Sequence, residues 1–157
     1  MKHSFRTIIV AFTLFALLVA PNLGNSQEFS FPASKDPAVF KAQLLQFVQL
    51  TRKNLREIQA LPVDDSSPVD PSLRNSAHYA YALIRSALHG MDLALEQQTY
   101  KDPTLILAKK RVEQAWNLAR FPAQSQSVPT RAEWVSQSVQ NLTQALRLVQ
   151  QAQAILP

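Results

Sequence analysis

The chain of 157 residues has room for a single domain with one sizeable core. Hydrophobic residues make up 46% and charged residues 17%, which excludes wholesale disorder. The formal charge of +5 includes Lys2 and Arg6, and only two glycines occur, which disfavours turn-rich β folds and glycine-cradled phosphate loops.

The first residues read as a secretory leader. Lys2, His3 and Arg6 precede an uncharged run from Ile8 to Ala20, and a polar segment follows. Spanning a bilayer takes about 20 apolar residues, so this run is short for an anchor and matches a signal h-region. Gly24 and Ser26 place small side chains at the −3 and −1 positions, so cleavage is expected after Ser26. Residues 1–26 are thus assigned to the signal peptide, which predicts export to a periplasm, a lumen or the medium. The chain contains no cysteine, which excludes a lipoprotein anchor. Loss of Lys2 and Arg6 lowers the basic count from 16 to 14 against 11 acidic residues, a net charge of +3. With export, that balance gives no reason to expect a nucleic-acid partner.

Residues 27–35 form a linker holding Phe29, Phe31 and Pro32. Helix starts come next. Asp36-Pro37, Asp70-Pro71 and Asp102-Pro103 each set a side-chain acceptor before a proline, whose missing N–H is harmless at a first helical position. Thr130 with Glu133 has the capping-box spacing and makes a fourth start.

Apolar residues then recur at three- and four-residue steps. The first helix carries Phe40, Leu44, Phe47, Val48, Leu55 and Ile58. The second carries Leu73, Ala77, Ala80, Tyr81, Ile84, Leu88, Met91 and Leu95. Leu105, Ala108, Val112, Ala115, Trp116 and Ala119 mark the third, and Val135, Val139, Leu142, Leu146, Val149 and Leu156 the fourth. Such stripes face a common core. The connections Pro62–Val69, Thr99–Lys101 and Phe121–Pro129 are short enough to join antiparallel neighbours. Residues 36–157 are therefore expected to form an all-α, up-down-up-down four-helix bundle.

Polar constellations are few. His78, Arg85, His89, Asp92 and Glu96 fall along one flank of the second helix at 100° per residue. His89, Asp92 and Glu96, spaced i, i+3, i+7, are the candidate ligands for one metal ion, set against a solvated flank. Met91 lies on the apolar stripe, away from any histidine of that helix, and reads as core. Gly90 sits mid-helix, where it costs about 1 kcal/mol against alanine, and marks a close approach by a neighbouring helix or a ring such as Trp116.

Two basic clusters stand out: Arg52, Lys53 and Arg56 on the first helix, and Lys109, Lys110 and Arg111 on the third. They suit an anionic surface or a solvated face. From Trp134 onward, Arg147 is the one residue of full charge, and glutamines supply much of the polar surface. Gln137, Gln140, Gln144, Leu148, Gln151 and Ile155 are the candidate contacts for a protein partner, because uncharged surface desolvates easily. No nucleophile elbow, zinc-protease helix or catalytic acid pair occurs, and no cofactor motif. The expected role is a non-enzymatic, exported accessory protein that binds a protein partner. The alternatives are a small-molecule or metal carrier using the second-helix histidine flank, and peripheral membrane contact through the basic clusters.

Overall fold

The computed structural model describes residues 29–62, 68–124 and 130–156. The expected leader and its cleavage position lie outside the described residues. Four α-helices and no strand occur among the described residues: α1 (Pro37–Gln59), α2 (Pro71–Glu96), α3 (Pro103–Gln124) and α4 (Arg131–Ile155).

Each helix begins where its capping residue dictates. The carboxylates of Asp36, Asp70 and Asp102 accept the backbone N–H groups of Ala38, Ser72 and Thr104 at 2.8–2.9 Å. The Thr130 hydroxyl accepts from the Glu133 N–H at 3.2 Å. These bonds satisfy donors that have no partner within a helix.

The helices pack as a bundle. Sequence neighbours touch, α4 returns against α1, and α1–α3 and α2–α4 are the diagonals. Contacts across two of the seams run in opposite chain directions. Asn54 and Gln43 of α1 meet Ser76 and Ser86 of α2, and Tyr81 and Asp92 of α2 meet Trp116 and Lys109 of α3. Those two pairs are antiparallel.

The core is large at its centre and small at its seams. Phe40, Phe47, Ile84, Met91 and Trp134 are fully enclosed. Where α3 and α4 meet the interior, Ala108, Ala115, Ala119, Ala145 and Ala152 are buried to within 1% of full enclosure. Alanine brings backbones close at almost no side-chain entropy cost.

Two sequence expectations are corrected here. α3 does not stop before Phe121 but runs on through Pro122 to Gln124, with Pro122 buried. A proline in the last turn forfeits only one ladder bond, and burial of its ring compensates. The α4 core line runs through Trp134, Ser138, Leu142, Ala145, Val149 and Ala152, and Val135, Val139 and Leu146 flank it half-buried.

The segment before α1 is more than a linker. The rings of Phe29 and Phe31 pack edge-on against Tyr79 at centroid distances of 5.3 and 4.9 Å. The Ser86 hydroxyl lies 3.1 Å from the carbonyls of both Phe31 and Pro32, and the Gln43 amide donates to Ser86 and to the Pro32 carbonyl. Ser34 crosses over Gly90. From Phe29 beside Tyr79 to Ser34 over Gly90 the strap advances by five residues while α2 advances by eleven, roughly 17 Å at 1.5 Å per residue, so the strap is nearly extended.

Candidate functional site

The docked strap turns one flank of α2 into a cleft. Its volume is about 760 Å³, between strap residues Phe29 and Phe31, the α2 flank and Trp116 of α3. The polar flank read from the sequence supplies His78, Arg85, His89 and Asp92 to this cleft, while Glu96 does not line it. Apolar surface comes from the aromatic rings. Tyr81 and Trp116 stack at 5.8 Å with their planes 21° apart, and Phe29 leans on His78 at 5.9 Å.

Gly90 explains how the strap fits. A Cβ at this position would overlap the Ser34 carbonyl oxygen, so only glycine admits the strap backbone. The close approach expected at Gly90 is real, but the approaching group is the strap, not a helix or the Trp116 ring.

Charge is unevenly distributed along the cleft. The Lys109 ammonium sits 2.7 Å from the Asp92 carboxylate, and the hydrogen bond from it raises the Lys109 pKa above its ordinary value. Asp92 is thereby neutralised from α3. Arg85 is solvent-exposed and has no carboxylate partner among the described residues. Tyr79, beneath the strap, has its phenol pKa raised by burial. The Trp116 indole N–H is buried and has no acceptor among the described residues.

His89, Asp92 and Glu96 form no group able to hold an ion, and none exists among the described residues. The Asp92 carboxylate is engaged by Lys109, and a seven-residue span on a helix separates the outer pair by roughly 10 Å along the axis.

The basic clusters stay apart, because α1 and α3 lie on a diagonal of the bundle. Arg52, Lys53 and Arg56 are exposed on α1, where Lys53 pairs with Glu57 at 3.7 Å and Arg56 Nε donates to the Arg52 carbonyl. On α3, Lys110 is exposed, Arg111 is half-buried and Lys109 is held by Asp92. Among the described residues no helix is long and apolar enough to cross a membrane.

On α4 the glutamines Gln137, Gln140, Gln144 and Gln151 are exposed. Leu148 and Ile155, expected to point away from the core, are half-buried and pack against it. The exposed face of α4 therefore lacks its two expected aliphatic anchors. The larger exposed apolar groups sit elsewhere. Tyr100 in the α2–α3 turn is 94% exposed, with Ile106 and Leu107 each 45% exposed on the next turn of α3. Sequence periodicity passed over them because Leu105 beside them faces inward.

In comparisons with known proteins, the chain matches no family model, no curated protein and no solved structure.

Proposed function

We propose that this chain is an exported, non-enzymatic binding protein: a leader of residues 1–26 is removed, and an up-down-up-down four-helix bundle holds a small ligand in the strap-walled cleft. One observation carries this reading. The cleft of about 760 Å³ falls within the range of roughly 300–1,000 Å³ typical of small-molecule sites, with aromatic walls and a few convergent polar groups. Aromatic rings with Arg85, two histidines and Asp92 form a lining suited to holding a ligand. The test is native mass spectrometry of protein purified without denaturant from its producing cells. A bound mass that disappears on unfolding, and is lost in Trp116→Ala, is expected. Bare polypeptide mass in every preparation would overturn the reading.

A second reading, docking on a protein partner, is favoured by a different surface. Tyr100, Ile106 and Leu107 expose apolar area at the α2–α3 end of the bundle, beside Lys101. Aromatic anchors with apolar neighbours are enriched at interface centres. Capture of a partner by the wild type but not by Ile106→Ser/Leu107→Ser supports this reading, and equal capture removes it.

A further inference from the structure

Resting on the cleft as the binding site, we propose that its ligand is a planar aromatic anion, a conjugated carboxylate or its equivalent, anchored by Arg85. The charges decide the sign. Five titratable side chains of α2 line the cleft: His78, Tyr81, Arg85, His89 and Asp92. Asp92 carries their one carboxylate, and Lys109 of α3 covers it at 2.7 Å. A cationic ligand would meet Arg85 and find no free carboxylate in that lining. An anion meets a guanidinium with no competing acid, whose planar fork matches a carboxylate.

The ring system follows from the walls. Tyr81 and Trp116 are already stacked, Phe29 and Phe31 close the strap side, and flat surfaces of this kind accept a flat ligand with little loss of side-chain entropy. A merely greasy cavity would not need Arg85.

The chain has two tryptophans, and this makes the test selective. Trp116 lines the cleft, whereas Trp134 is fully buried in the core. The ¹⁵N-labelled protein is titrated with 1-naphthoate, 1-naphthylmethanol and 1-naphthylmethylamine, and both indole N–H signals are followed, assigned with Trp116→Phe. Naphthoate is expected to move the Trp116 signal, leave Trp134 in place, and bind about tenfold tighter than the alcohol or the amine, the scale of one charge-assisted hydrogen bond. Arg85→Gln is expected to abolish that preference, bringing naphthoate down to the affinity of the neutral alcohol. Equal affinity for the three probes, or preference for the amine, overturns the anion assignment and leaves the cleft as a site. Naphthoate preference that survives Arg85→Gln overturns the role of Arg85. If no probe moves Trp116, the inference and the reading beneath it both fall.

Discussion

Gly90 lies directly under the carbonyl oxygen of Ser34, so that the strap and α2 meet backbone to backbone. Gly90→Ala should improve the intrinsic helix propensity of α2 by about 1 kcal/mol and still expel the strap, because neither contacting backbone can yield cheaply. The check is limited trypsin digestion at Lys35, which is exposed at the end of the strap. Cleavage there is expected to accelerate several-fold while the bundle stays folded by circular dichroism. An unchanged rate would contradict the contact.

Ser86 and Gln43 hold the same strap by side-chain hydrogen bonds. Ser86→Ala should weaken strap docking by about 1–3 kcal/mol, since it strands buried polar groups. Because Gly90→Ala already displaces the strap, the two substitutions should be strongly non-additive. Amide exchange of the strap, measured in both single variants and the double variant, reads this coupling.

The α4 register makes a contrast along one helix. Leu142→Ala should cost about 2–5 kcal/mol, because Leu142 is enclosed and leaves a cavity. Gln140→Ala, two residues away on the exposed face, should stay within about 0.5 kcal/mol of the parent. Leu148→Ala belongs between them, because Leu148 packs half-buried on the core edge. Urea midpoints order the three, and a neutral Leu148→Ala would return that residue to the free surface.

Stability should fall at both ends of the pH scale for opposite reasons. The pKa values of Asp70 and Asp102 are lowered from 3.8 mainly by hydrogen bonds from Ser72 and Thr104. Their contribution is complete above 3.8 and disappears as the pH falls through the lowered native values. The Lys109 pKa is raised from 10.5, chiefly by the bond to Asp92, so that contribution is complete below 10.5 and lost as the pH rises further. Both partners of this ion pair are partly solvent-exposed, which keeps its effect small. Urea titrations of the parent, Asp102→Ala and Lys109→Met across pH check the signs. The Asp102→Ala deficit should shrink in acid and the Lys109→Met deficit in alkali.

Much of the scaffold is legible in local chemistry. An Asp-Pro pair is a strictly local helix-start signal, and all three such pairs here cap helices. The polar flank of α2 was equally readable from 100° periodicity, and four of its five residues line the cleft. What closes the cleft was not readable, because strap docking is a non-local event with no period. The signals in hindsight are Gly90 and Ser86, a glycine and a serine four residues apart on one helix face. Alanine seams misled the reading of α4. Large aliphatic residues dominate a hydrophobic stripe, yet Ala145 and Ala152 mark the line of closest approach, leaving Leu148 and Ile155 to pack at its edge. Pro122 misled in the same way, since a helix stop by local rules is tolerated where the ring is buried in the last turn.

The strap makes the cleft, so the ring contacts beneath it are the place to look. Phe31 and Tyr79 stand 4.9 Å apart between centroids, and Phe29 and Tyr79 5.3 Å. A NOESY spectrum of the protein in solution should show ring-to-ring cross-peaks from both phenylalanines to Tyr79, lost in Gly90→Ala. Their absence from the parent protein would mean that the strap does not dock, that α2 presents an open polar face, and that the ligand-binding reading is wrong.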